Sequence, residues 1–252
     1  MDTDGVDREA HTLRAMAESL GRLTDAVREQ EPREGLERLL AQGGEELVGA
    51  RWSSVTVLRR GVFRTLAASD PVAEEIDRQQ YDLGTGPCVD AVLDDAVYLT
   101  HDVRHDPRWE VLGRRLHARH GVRAMLAFRL HLLDETEVVA ALNFSSDEAD
   151  AFPPADVERG RVLATHCALL VTAYLAQDQA RHVLQGLHSN REIGVAVGIL
   201  MARHALTREQ AFEVLRLASH HTNRKVSDIA REVGDTGVAP LDLLGGRAAN
   251  GG

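Results

Sequence analysis

The spacing of apolar positions changes several times along the chain. Leu13, Met16, Leu20, Leu23 and Val27 recur every three or four residues, which predicts an amphipathic or coiled helix broken by Pro32 and Gly35. A second short helix is expected around Leu36, Leu39, Leu40 and Leu47. The period then falls to two. SVTVLRR and VFRTLAAS flank Gly61 as a hairpin, and Ala124 to Leu132 and Glu137 to Phe144 form a second one across Asp134-Glu135. Between them lie YDLGTGPCVDAVL, a short strand at Val97 to Thr100 and a helix after Pro107. Antiparallel strand pairs with inserted helices predict an α+β domain on one sheet.

Pro153 and Pro154 end the sheet region, and Asp156 is placed to cap a long helix. Val162, His166, Leu169, Ala173, Ala176, Ala180, Val183 and Leu187 then alternate at four and three with no breaker until past Met201. Thirty or more helical residues extend roughly 45 Å. A stripe of that length asks for a partner, most simply a second copy of the chain. Ile193, Val197, Leu200 and Met201 form one apolar face at its end, and Ala205-Leu206 interrupts it. Thr207 and Gln210 read as a capping box for a helix that buries Ala211, Leu215 and Ala218. HHTNRK is the expected turn into a third helix carrying Val226, Ile229, Ala230 and Val233. Three such short helices share a core but leave no cleft for a substrate.

Composition narrows the function. The chain is 44% hydrophobic and only 4% aromatic, so stacking bases on rings is a poor expectation for any nucleic-acid partner. Net charge is -10, the wrong sign for coating nucleic acid non-specifically. Leu187 to Asp235 nevertheless sums to +1, and it holds the single lysine, Lys225. Cys88 and Cys167 give neither a disulfide framework nor metal-ligand spacing. No leader or membrane span is evident, so the expected setting is cytoplasmic.

Arg216, Ser219 and Asn223 fall at i, i+3 and i+7, and Lys225 extends that polar stripe. Arginine, amide and ammonium groups on a rigid helix suit phosphates and the base edges of an RNA loop, although any solvated helix face is also polar. REIGVAVGILMARH, EQAFEVLRLAS and NRKVSDIA resemble, in order and spacing, the motif blocks of the ANTAR domain. That resemblance implies binding of paired RNA hairpins in leader transcripts and prevention of terminator formation. The family often has Ala-Lys-Gly where this chain has Ala196-Val197-Gly198, one cation fewer. The RNA-binding candidates are Arg191, Arg203, Arg216, Ser219, Asn223, Arg224 and Lys225. The same helices resemble the scaffold pair of DNA-binding helix-turn-helix regulators. The groove-entering helix those need is replaced here by GDTGVAPLDLLGGRAANGG. A ligand sensor whose helical module docks a protein is the third reading.

YDLGTGPCVDAVL, DVRHDPRW, GVRAMLAFRL and AALNFSS resemble successive blocks of a GAF domain. The resemblance implies a twisted antiparallel sheet with helices on both sides and leaves the ligand open. Gly84 and Gly86 are expected to supply turn geometry, since Pro87 removes a donor amide from any phosphate cradle. Cys88, Asp102 and Trp109 are candidates for a sensor pocket, with a buried structural role the plainer expectation for Cys88 and Trp109. His117 and His120 share a helix face without further metal ligands, and His105 and Asp106 lack a nucleophile to serve; no cofactor, no metal and no catalysis are expected.

The expected architecture is an N-terminal amphipathic helix (1–31), a GAF sensor (32–175), a linker and dimerisation helix overlapping its end (156–190), an all-α three-helix ANTAR module (187–235) and a flexible tail (236–252). The expected protein is a homodimeric transcription antitermination regulator, with RNA and a small-molecule ligand as partners.

Overall fold

A computed structural model describes residue 21 and residues 32–94, 96–133 and 138–238. The predicted seam from Leu13 to Val27, the Asp134-Glu135 turn and most of the predicted tail lie outside the described residues. The chain divides into two compact units, Met1–Ala176 and Gln177–Gly252.

The first unit opens with α1 (Pro32–Arg38), a π-helical turn (Leu39–Gly43) and α2 (Gly44–Val48). The N-terminal helix expected to break at Pro32 and Gly35 lies outside the described residues, while both of these residues fall within α1. Pro32 stands in its first turn, where a missing N–H removes no intrahelical bond, and Gly35 is buried within it. β1 (Trp52–Arg59) and β2 (Val62–Ala68) follow as the predicted hairpin. Arg60 and Gly61 both have positive φ, 52° and 77°, the geometry of a two-residue turn that matches strand twist. Then come α3 (Pro71–Leu83), α4 (Pro87–Asp94), β3 (Val97–Thr100), a 3-10 turn (Pro107–Trp109), α5 (Glu110–His120), β4 (Ala124–Leu130) and β5 (Val138–Ser146). The five strands are ordered β2-β1-β5-β4-β3, with every pairing antiparallel.

Strand alternation divides the core into two layers. Val55, Leu126, Phe128, Leu142 and Phe144 point to one face, against Leu36, Leu40 and Leu47 of the N-terminal helices and Leu163, Cys167 and Leu170 of α6 (Pro154–His204). The opposite face carries α3, α4 and α5, with Trp52, Ile76, Trp109, Leu112, Leu116 and Met125 in its core. Asp156 does not cap α6. It sits inside the first turn and accepts a bond from Arg159, while the N–H groups of Asp156 and Val157 turn back to the Pro153 carbonyl.

Within α6 the first unit buries Leu163, Ala164, Cys167, Ala168, Leu170 and Val171. The predicted seam residues Val162, His166, Leu169 and Ala173 lie beside that face and stay partly or fully exposed. The helix therefore has one stripe committed to its own domain and another left outside it.

The second unit contains the end of α6, α7 (Arg208–Thr222) and α8 (Val226–Thr236). Ala205, at φ 52°, stops α6, and Thr207 with Gln210 forms the predicted reciprocal capping box of α7. Ala196, Val197, Leu200, Ala211, Leu215, Ala218, Ile229, Ala230 and Val233 make one small core. Met201, predicted on the apolar face, is instead exposed. The turn is shorter than HHTNRK, because His220 to Thr222 complete α7 and only Asn223 to Lys225 link the helices.

Candidate functional site

The corner between α7 and α8 is built by its own side chains. Asn223 adopts the left-handed conformation, φ 51°, and its N–H reaches the Ser219 carbonyl to close α7. Ser219 Oγ donates to the Arg224 carbonyl at 2.5 Å, so this hydroxyl shapes the turn from within. Lys225 is the N-cap of α8 and makes no side-chain cap bond. The Asp228 and Ile229 N–H groups turn back to the Lys225 carbonyl, so the N–H groups of Val226 and Ser227 are the ones left to an outside acceptor. Among the described residues, no hydrogen bond or ion pair engages the side chains of Asn223, Lys225 and Arg191.

The other candidate cations are engaged. Arg216 holds Glu213 through two bonds of 2.8 and 2.6 Å, which raises the guanidinium pKa and lowers the carboxylate pKa. Both groups are solvent-exposed, so the pair is weak and a phosphate can compete for Arg216. Arg224 pairs with Glu232 across the corner at 2.8 Å. Arg203 donates to the Gly237 carbonyl and ties the end of α8 to α6. The structure thus gathers Ser219, Asn223, Arg224 and Lys225 around one corner, leaves Arg216 about two turns back along α7, and gives Arg203 a bracing contact.

In the first unit a buried polar cluster lies between the sheet and helices α3 and α4. Thr65 Oγ1 donates to Asp77 Oδ2 at 2.9 Å, and Tyr81 Oη lies 2.7 Å from Thr56 Oγ1 and 3.0 Å from Thr65 Oγ1. Asn143 Nδ2 donates to Thr56 Oγ1 at 3.0 Å and Ser54 Oγ at 3.1 Å. Cys88 Sγ donates to Thr56 Oγ1 at 3.0 Å, and the Cys88 N–H donates to Gln80 Oε1 at 2.9 Å. Burial pushes the Asp77 carboxyl up to about 7 even though four hydroxyl partners pull it down. Burial, then the nearby Asp77 charge, pushes the Cys88 thiol upward, so this cysteine is a protonated core residue.

The three predicted sensor residues are not brought together: Cys88 belongs to the buried cluster, while Trp109 reaches α4 only through Asp90, which lies on a different side of that helix. Trp109 is buried, stacks under the Arg108 guanidinium at 4.1 Å and donates from Nε1 to Asp90 Oδ2 at 2.7 Å, two residues from Cys88. Asp102 belongs to a separate ion network, where Arg104 first and Arg123 second hold its carboxyl well below the usual range. Gly84 at φ 66° and Gly86 at φ 144° supply the expected turn geometry before α4.

Sequence reasoning missed Asp77, Tyr81, Thr56, Thr65 and Asn143. The signal for Asp77 was its position: Ala73, Ile76, Asp77 and Gln80 form the inward face of α3, so two polar residues sit where apolar ones belong.

Comparison with known proteins agrees with this division. A sequence profile for the GAF domain matches residues 29–172, and one for the ANTAR domain matches residues 178–233. No curated protein matches the chain. Among solved structures, the GAF domain of a phosphoenolpyruvate-protein phosphotransferase from Coxiella burnetii aligns with 65% of this chain and 98% of its own, at 15% identity and TM-score 0.48. A phycoerythrobilin-bound GAF domain of a cyanobacterial phytochrome covers 64% and 97%, at 15% identity and TM-score 0.47. A type II free methionine-R-sulfoxide reductase from Thermoplasma acidophilum covers 56% and 94%, at 20% identity and TM-score 0.42.

Proposed function

Because the chain belongs to the GAF family and carries a GAF sensor domain followed by an ANTAR domain, an RNA-binding antitermination module, we propose that it is a homodimeric antitermination regulator. Both domains are regulatory rather than catalytic. We assign the sensor to residues 32–175, the arm to 156–190 and the RNA module to 187–235.

The observation that carries this reading is the α7–α8 corner. A left-handed Asn223 and an uncapped helix start at Lys225 put one amide, one ammonium and the Val226 and Ser227 N–H groups on one bend, with the exposed Arg216 pair about two turns back along α7. Such a bend offers donors to phosphates and to base edges splayed in a loop. The exposed seam of α6, from Val162 to Leu187, supplies the surface for pairing with a second copy. Two corners related by a two-fold axis match two hairpins in one leader RNA. Holding that RNA fold withholds the strand needed for an overlapping terminator stem, and a signal at the sensor shifts the balance by altering how the arms pair.

The test is a mobility shift with a leader RNA bearing two stem-loops. Asn223→Ala combined with Lys225→Ala is expected to weaken binding about ten- to a hundredfold, with circular dichroism and light scattering unchanged. Undiminished binding by the double variant removes the corner as the RNA site.

A further inference from the structure

Between Ala180 and Met201, α6 presents a face that its own unit leaves uncovered. Val183 is 56% exposed, Leu184 66%, Leu187 62%, Val195 50% and Met201 38%, and Phe212 of α7 is 43% exposed beside them. The five α6 positions fall within an arc of about 120° at 100° per residue. The module core, by contrast, uses Ala196, Val197 and Leu200 on another side of the same helix. Arg191 is the one charged residue within the exposed arc, in a chain that is 27% charged. Loss of charge on an exposed helix face is what the centre of an interface requires.

The face also has a shape. Gly194 and Gly198 stand one turn apart, and a Cβ at either position would meet nothing within 4 Å. With Met201 and Phe212, and with Arg208 and Glu209 at its α7 edge, they line an open groove of about 570 Å³. The six large side chains expose on the order of 600 Å² of apolar surface, near the roughly 800 Å² that each partner of a standard complex buries. Ala180, Val183, Leu187, Gly194 and Met201 keep the repeat that an identical helix supplies in return.

We infer that the contact between two copies does not end with the arm but continues into the RNA module, with the Gly194–Gly198 groove covered by the same face of the second copy. This rests on the dimeric reading above and adds to it. The two α7–α8 corners would then be held at a set spacing by the module itself, and glycine at 194 and 198 would allow close approach of the helices.

Disulfide trapping in the full chain tests it. Cys88 and Cys167 are buried, so a new surface cysteine reports alone. Leu187→Cys probes the arm, Gly194→Cys and Gly198→Cys probe the groove, and Glu213→Cys on exposed α7 is the collision control. Covalent dimers at Leu187→Cys, Gly194→Cys and Gly198→Cys should form about tenfold faster than at Glu213→Cys, since a disulfide needs Cα atoms within about 7 Å. Linkage at Leu187→Cys with none at either glycine position overturns the inference and leaves the dimeric RNA reading standing. Linkage at Glu213→Cys as fast as at the glycines also overturns it. A monomer by light scattering with no linkage anywhere removes the dimer as well, while RNA binding by the same samples is scored separately.

Discussion

Asp77→Asn will make the first unit more stable than the wild type at neutral pH, and the gain will shrink as the solution is acidified. The wild-type carboxyl is wholly buried and titrates near 7 in the fold against 3.8 for its ordinary value. Folding therefore holds a proton that the unfolded chain releases between these values, and stability falls as pH rises through that window. Below about 4 both states are protonated and the penalty is absent; above about 7 it is complete, at roughly 4 kcal/mol. The other titratable groups facing Asp77 are Tyr81 on its own helix and Cys88 from α4, both raised by burial, with Asp90 of α4 further off, acting on Cys88. These raised partners stay neutral across the window, so the carboxyl is the group that changes charge. Asparagine keeps the shape and can still accept from Thr65. The two tryptophans, Trp52 and Trp109, both lie in this unit, so urea unfolding followed by their fluorescence reads it directly. A difference between variant and wild type that stays constant from pH 4 to 8 would contradict the assignment.

Gly113→Ala is expected to destabilise the same unit by about 3 kcal/mol or more. An added Cβ would lie 2.0 Å from the Val103 carbonyl oxygen and 2.6 Å from its carbon, both backbone atoms. Val103 cannot retreat easily, because it is fully buried and its N–H is held by the Arg123 carbonyl at 2.6 Å. Helix propensity favours alanine over glycine by only about 1 kcal/mol, so the clash decides the sign. A fall in Tm of about 10 °C is the expected size for a domain of this length. Gly186→Ala, in α6 with nothing within 4 Å of the new methyl, should leave Tm unchanged or raise it. Equal effects at the two positions would show that close approach is not what glycine serves at 113.

These two residues also show where the sequence stops being legible. Alternation on either side of Gly61 declared the first hairpin, the Val97–Thr100 strand was bounded correctly, and the Thr207–Gln210 capping box fixed the start of α7. Each of those signals is local. Strand order, the Gly113–Val103 approach and the gathering of Asp77, Thr56 and Asn143 from α3, β1 and β5 are long-range, and no spacing encodes them. The RNA candidates divide the same way. A Glu213–Arg216 pair is visible at i, i+3, whereas Arg224 meeting Glu232 and Arg203 meeting Gly237 depend on how the helices cross. The seam of α6 was legible as a repeat. That the first unit buries the neighbouring stripe through Leu163, Cys167 and Leu170 was not, because two apolar stripes on one helix blur its period.

The most direct measurement is a binding titration of the purified full chain against three probes: an RNA with two tandem stem-loops, the same RNA with one stem removed, and a duplex DNA of equal length. At roughly 50 mM salt the two-stem RNA should bind most tightly, and its affinity should fall steeply by about 200 mM, because releasing counterions into more concentrated salt gains less free energy. Duplex DNA bound as tightly as the two-stem RNA, or binding to neither RNA at any salt concentration, would contradict a C-terminal module built for paired hairpins.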